Sequence, residues 1–120
     1  MPLPQQLDFV DGSIIACAGG TAYAMVKKID PAEGARLLVF GAGPLGLCVS
    51  LIAGARGADV LLVDVNPQRL AFARTLEASS TIDASSEKVR DAVMDLTEGQ
   101  GATKIIDTSG STRARNDAIH

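Results

Sequence analysis

The sequence has no tryptophan, one tyrosine and three phenylalanines, so aromatics make up 3% of its 120 residues. A protein that stacks single-stranded nucleic-acid bases needs such rings, and their scarcity argues against that class. Two cysteines, Cys17 and Cys48, are too few for a disulfide framework and read as reduced thiols of a cytoplasmic chain. The single histidine is His120, which reads as a solvated terminal side chain rather than a metal ligand. Positive charge is not in excess: eleven basic residues stand against fourteen acidic ones, a net charge of −3. With a pI near 5.0, neither nucleic acid nor an anionic membrane is expected as a partner. The first residues, Met1-Pro2-Leu3-Pro4-Gln5-Gln6, lack the basic start of a secretory signal. There is no repeat, no low-complexity tract and no flexible linker.

What is there is apolar. Hydrophobic residues make up 47% and charged residues 21%, which fits a folded globular chain and excludes disorder by composition. The length suits one domain with one core. Nineteen uncharged residues run from Leu37 to Ala55, enough by length to span a bilayer. Gly41, Gly43, Pro44, Gly46 and Gly54 interrupt that run, and Gly-Ala-Gly-Pro breaks a single helix at its middle. A buried strand, a turn and a buried helix explain the same apolarity.

A rhythm of strands and helices follows. Residues 1–12 read as an irregular leading segment, and Thr21 to Lys28 as a helix whose last turn carries Lys27 and Lys28, where positive charge suits the dipole. Asp30-Pro31-Ala32-Glu33-Gly34 is a turn by composition. Leu37-Leu38-Val39-Phe40 suits a strand buried on both faces. Pro44 to Ala55 reads as a helix ended near Gly57, and Val60–Val65 as a second strand. Asn66-Pro67 signals a helix start, and Gln68–Ala78 is expected to continue it with Leu70, Phe72, Ala73 and Leu76 on one face. Thr81–Asp83 is a short third strand. A helix opening at Ser85-Ser86-Glu87 and running to Thr97 places Val89, Ala92, Val93 and Leu96 at helical spacing. Gly99-Gln100-Gly101 is a turn, Lys104–Thr108 a fourth strand, and Ser111 the start of a further helix. Alternation of this kind implies βαβ units and a parallel sheet. Right-handed crossovers give the strand order 3-2-1-4, so the expected fold is α/β, a Rossmann-type sheet of about four strands with an incomplete second half.

Gly41-Ala42-Gly43-Pro44-Leu45-Gly46 fits G-x-G-x-x-G. It follows a buried strand and opens a helix, and an acid, Asp64, ends the next strand eighteen residues after Gly46. That context makes it a dinucleotide fingerprint. Gly41 permits the tight turn, Gly43 leaves room for a pyrophosphate against the backbone, and Gly46 lets helix and strand pack closely. The free N–H groups of the helix start attract phosphate. Flavin-dinucleotide and S-adenosylmethionine sites use similar turns, and spacing alone leaves them open. A carboxylate at Asp64 accepts ribose hydroxyls and repels a 2′-phosphate, which favours NAD over NADP. Arg69, five residues on, could reach the adenosine or stand in solvent.

With these residues named, the chain resembles the medium-chain dehydrogenases/reductases, and within them the zinc-dependent alcohol dehydrogenases. Three stretches carry the likeness: Cys17-Ala18-Gly19-Gly20-Thr21-Ala22-Tyr23, Val39-Phe40-Gly41-Ala42-Gly43-Pro44-Leu45-Gly46, and Val63-Asp64-Val65-Asn66-Pro67-Gln68-Arg69-Leu70. The resemblance covers nearly the whole chain, with these stretches in the family's order and spacing, and it favours NAD over the flavin and methyl-donor rivals. The resemblance implies residues 1–34 as a leading segment and helix from the junction with a catalytic domain, and residues 35–120 as an NAD-binding domain cut short at its C-terminal side. It implies Cys17 as a ligand of the catalytic zinc and Thr21 as a catalytic-site residue against the nicotinamide. It implies Gly41, Gly43, Pro44, Leu45 and Gly46 around the pyrophosphate, and Asp64, Asn66 and Arg69 on the adenosine side. It implies Thr108 and Ser109, with Gly110, in the loop beneath the riboses.

The activity so implied is oxidation of a small alcohol or polyol by NAD, with zinc as a Lewis acid on the substrate oxygen. The chain departs from the family in one respect that matters. The cysteine and histidine that complete the zinc site, and the structural four-cysteine site, have no counterparts here. Cys48 reads as helix packing, and one cysteine cannot hold a catalytic zinc. The isolated chain is therefore expected to be inactive. The alternatives are a zinc-free, reductase-type cofactor domain, or a non-catalytic nucleotide-binding or self-associating fragment that forms a homo-oligomer through an exposed sheet edge.

Overall fold

A computed structural model describes residues 19–76 and 80–111. Cys17, His120 and the helix expected from Ser111 onward lie outside the described residues, except for Ser111 itself.

Eight elements alternate along the chain. They are α1 (Gly20–Ile29), β1 (Arg36–Phe40), α2 (Pro44–Ala55), β2 (Asp59–Asp64), α3 (Pro67–Thr75), β3 (Ser80–Asp83), α4 (Val89–Leu96) and β4 (Lys104–Asp107). The four strands form one parallel sheet in the order β3-β2-β1-β4. Leu37 and Phe40 of β1 face Val60 and Val63 of β2 on one side, and Lys104 and Asp107 of β4 on the other. The chain steps outward from β1 to β3 and then crosses back to β4. The order therefore reverses between β1 and β4, and that crevice is where open α/β sheets bind ligands.

The period of two in the strands sorts the core into two clusters. Leu37 and Val39 of β1, Val60 and Leu62 of β2 and Ile106 of β4 meet Ala22 and Val26 of α1, Val49 and Ala53 of α2, and Leu70 and Ala73 of α3. The residues between them, Leu38, Phe40, Leu61, Val63 and Ile82, meet Val89, Ala92 and Val93 of α4 on the opposite face. A sheet covered on both faces explains why β1 and β2 read as continuous apolar runs. The nineteen-residue uncharged stretch resolves into β1, the glycine turn and α2, and no helix among the described residues is long and apolar enough to cross a membrane. Cys48 packs against the first cluster, and burial pushes its thiol pKa up.

Three sequence expectations shift. Phe72 is 56% exposed, because it lies two residues, about 200° of helix, from Leu70 and points to the other face. Helix α4 starts at Val89 rather than at Ser85. Ser85 and Ser86 instead close a turn on Asp83: the Ser85 N–H and hydroxyl donate to Asp83 Oδ1, and the Ser86 N–H donates to the Asp83 carbonyl. Leu96, at the end of α4, is exposed although its spacing matches the buried face.

Candidate functional site: a cleft over the C-terminal ends of the strands

Each strand ends at the same edge, and the residue that follows each strand lines one cleft. Gly41 follows β1, Val65 follows β2, Ala84 follows β3 and Thr108 follows β4, and all four lie in its wall with Asp64, Arg69 and Ser109. Phe40, Gly43, Val63 and Ser111 complete the lining. The cleft measures about 270 Å³, near the lower end of ligand pockets at roughly 300–1,000 Å³.

The local structure of the rim repeats. Three strands end on an aspartate whose Oδ1 accepts the backbone N–H two residues on: Asp64 from Asn66 at 2.8 Å, Asp83 from Ser85 at 2.9 Å and Asp107 from Ser109 at 2.9 Å. These are Asx turns. They stop the strand and turn the chain across the sheet edge. At Asp83 the Ser85 hydroxyl, followed by the Ser85 N–H, holds the carboxyl below its ordinary pKa.

The glycine turn joins β1 to α2. Gly41 adopts a φ of +102°, which suits glycine. A Cβ at Gly46 would stand 1.7 Å from the Gly41 carbonyl oxygen, so the first turn of α2 rests on the backbone of Gly41. Gly43 is different. It caps α2 in an extended conformation with φ −76°, which any residue can adopt, and a Cβ there would meet nothing within 4 Å. Pro44 takes the first helical position, where its missing N–H costs nothing. No side chain caps α2, which leaves first-turn N–H groups without an intrahelical acceptor and the positive end of the helix dipole at the turn.

Asp64 leans into this turn. Its Oδ2 accepts the Ala42 N–H at 2.8 Å and lies 3.7 Å from the Arg69 guanidinium. Its side chain is 8% exposed while that of Arg69 is 57% exposed, so the acid forms the floor and the arginine the lip. The two carboxylate oxygens together offer about four acceptor positions, and the backbone N–H groups of Ala42 and Asn66 take two. Asn66 caps α3, its Oδ1 accepting from the N–H groups of Gln68 and Arg69, and it lines a shallower hollow beyond the turn with Pro44 and Phe72.

The structure thus gathers Gly41, Gly43, Asp64, Arg69, Thr108 and Ser109 around one cleft, with Asn66 and Pro44 at its outer side. Gly46 is buried beneath the turn, and Leu45 packs half-buried against the core. Thr21 lies exposed in the first turn of α1 and is not among the residues lining the cleft. Phe40, Val63 and Val65 line the cleft although sequence reasoning assigned them no site role, and Ala84 and Ser111 line it although they lie outside every motif. Their signal is positional, since each lies at or just beyond the C-terminal end of a strand. Among the described residues no group of three or more His, Cys, Asp or Glu side chains could hold a metal ion.

Residues 44–120 match the family model described as zinc-binding dehydrogenase. The chain is 35% identical over 118 residues to the zinc-type alcohol dehydrogenase-like protein YphC of Escherichia coli, covering 94% of this chain and 32% of that protein. It is 32% identical to a probable D-xylulose reductase A of Aspergillus fumigatus, covering 98% of this chain and 34% of the other. Among solved structures, an alcohol dehydrogenase of Thermotoga maritima superposes with a TM-score of 0.88 at 31% identity, over 98% of this chain and 34% of that one. The chain therefore spans about a third of the length of the proteins it matches.

Proposed function

The chain belongs to the zinc-binding dehydrogenase family, and on that premise we propose that it is the NAD-binding part of a zinc-dependent alcohol or polyol dehydrogenase. The observation that carries the cofactor reading is Gly43. Its backbone does not require glycine, and open space surrounds the position of a Cβ. Glycine is a favoured N-cap, and at this position its bare backbone also leaves room for a phosphate seated against it.

The other groups fit the same ligand. The uncapped start of α2 supplies N–H donors and a positive dipole to a pyrophosphate. Asp64 keeps two acceptor positions for the ribose hydroxyls after serving the N–H groups of Ala42 and Asn66. The apolar walls from Val63, Val65 and Ala84 suit the faces of an adenine ring. A 2′-phosphate would enter beside the Asp64 carboxylate, which disfavours NADP, and Arg69 offsets part of that repulsion from the lip. Thr108 and Ser109 line the cleft on the β4 side, where the resemblance would put the riboses.

NAD, held by the glycine turn and Asp64, would supply the hydride acceptor for oxidation of an alcohol. This chain's residues bind and orient the dinucleotide for that transfer. We assign Thr21 to the nicotinamide side and Cys17 to a zinc site, both on family resemblance. Among the described residues no group of three or more His, Cys, Asp or Glu side chains could hold a metal ion. In this reading residues 35–120 form the cofactor domain, residues 1–34 belong to the junction with a catalytic domain, and the 120 residues alone turn over no alcohol. Strand β4 bounds the described sheet, with Ile105 41% exposed, and self-association through this edge is expected. A strictly monomeric light-scattering profile at high concentration would remove that part.

The test of the cofactor reading is a competition between NADH and NADPH with the wild-type chain and Asp64→Ala. We expect preference for NADH, lost in the variant through a roughly tenfold or greater fall in NADH affinity, the cost of one or two charged hydrogen bonds. Equal binding of both nucleotides before and after the substitution would contradict it.

A further inference from the structure

The Gly41–Ala42 peptide is held at both of its poles by side chains from different strands. Its N–H donates to Asp64 Oδ2, from the end of β2, at 2.8 Å. Its carbonyl oxygen lies 3.2 Å from Thr108 Oγ1, beyond the end of β4, and rests against Gly46 of α2. The Thr108 hydroxyl also donates to the Phe40 carbonyl at 2.8 Å, and the Thr108 N–H donates to the same oxygen at 2.8 Å. A hydroxyl carries one hydrogen, so it is shared between the two successive carbonyls, with the shorter leg on Phe40. Thr108 sits inside a closed turn, because Asp107 Oδ1 accepts both the N–H and the hydroxyl of Ser109 on its far side.

This arrangement matters because Gly41 sits at φ +102°. A glycine there has more than one backbone conformation open to it at little steric cost, and rotation of its peptide would re-aim the N–H groups that follow. The geometry assigns Thr108 as a positioning residue that fixes this peptide and so holds the turn in one conformation before any ligand arrives. Its hydroxyl is spent on the backbone of the turn and not on the nucleotide. Preorganisation of this kind raises affinity by lowering the ordering cost of binding. The assignment deepens the proposed function and rests on the turn's being a pyrophosphate seat.

Two variants separate the roles. Thr108→Ala removes the hydroxyl without adding bulk, and Thr108→Ser keeps it. Two readouts are needed. The first is amide hydrogen exchange of Ala42 and Gly43 by NMR in the nucleotide-free chain. The second is the ratio of the dissociation constants for adenosine and ADP, which isolates the phosphate increment. Thr108→Ala is expected to speed Ala42 exchange and to cut the ADP-over-adenosine preference by about fivefold, the factor that one net hydrogen bond commands. Thr108→Ser is expected to restore both. A general loss of stability would instead raise exchange through the whole sheet and weaken both ligands alike. Unchanged Ala42 exchange in Thr108→Ala, equal weakening of adenosine and ADP, or no rescue by serine overturns the assignment. If wild type binds neither ligand, the pyrophosphate reading fails, and the exchange data still judge the brace.

Discussion

Gly43 and Gly46 are both glycines of one turn, yet they should answer to substitution in opposite ways. In Gly43→Ala the new Cβ meets no protein atom within 4 Å, and the φ of −76° is open to alanine. Alanine is a poorer N-cap than glycine, by less than the roughly 0.5–2 kcal/mol that separates it from serine or asparagine. Restriction of the unfolded chain returns about 0.4–1 kcal/mol. The net change in stability is within about 1 kcal/mol. A phosphate oxygen accepting from the backbone must come within roughly 2.9 Å of nitrogen, and the methyl group stands in that space. Loss of one charged hydrogen bond at about 1.5–3 kcal/mol weakens nucleotide binding by roughly tenfold to a hundredfold.

Gly46→Ala is the converse. Its Cβ would stand 1.7 Å from the Gly41 oxygen, where ordinary contact begins near 3.4 Å. Helix or turn must shift by more than an ångström, at a cost toward or above the upper end of the ~1–3 kcal/mol seen for overpacking. At about 4 °C per kcal/mol for a chain of this size, the melting temperature falls by roughly 10 °C or more. Calorimetry and a nucleotide titration on both variants read the contrast. The reasoning fails if Gly43→Ala lowers the melting temperature as far as Gly46→Ala does. It fails equally if Gly43→Ala leaves nucleotide affinity within twofold of wild type.

Acid titration is expected to report Asp83. Its folded pKa lies below the ordinary carboxylate value through the Ser85 hydroxyl and N–H. Its contribution is therefore complete above the unfolded pKa of about 4 and is lost as pH falls through the folded value; Asp83→Asn should flatten the fall in stability below about pH 4, and an unchanged acid limb would oppose this. Leu62→Ala, at a fully buried position between β1 and β3, should cost about 2–5 kcal/mol by denaturant unfolding; a cost below 1 kcal/mol would contradict the two-faced burial of the sheet. Asn66→Ala removes the cap on the Gln68 and Arg69 N–H groups and should cost about 1 kcal/mol, read from the same unfolding curves.

Much of the fold is legible in the sequence for a physical reason. Strands buried on both faces are continuous apolar runs, so Leu37–Phe40 and Val60–Val63 stand out, and the short turns between elements leave few ways to join them. The strand order 3-2-1-4 then follows from crossover handedness. The start of α4 was less legible, because Ser85-Ser86-Glu87 resembles a helix start while Asp83 in fact takes the Ser85 hydroxyl and N–H and the Ser86 N–H bonds the Asp83 carbonyl. Phe72 misleads because an aromatic beside Leu70 looks like core until the helical angle is counted.

In the site, the glycine turn and Asp64 carry a spaced pattern and are readable. The bond from Asp64 to the Ala42 N–H is not. It depends on the β1–β2 register, which pairs Phe40 with Val63 and so brings residue 64 beside the turn. The brace at Thr108 likewise depends on β4 lying next to β1, sixty-eight residues away from Phe40 in sequence. Ala84 and Val65 carry no chemical mark and enter the cleft only through where their strands stop.

The central claim is that these residues form a nucleotide site. The most direct test is a titration of the purified chain with NADH, followed by the nucleotide's own fluorescence, since the chain has no tryptophan. The account predicts saturable binding of one NADH per chain, displaced by NAD and by ADP. A linear response with no saturation, or binding that ADP does not displace, would contradict it.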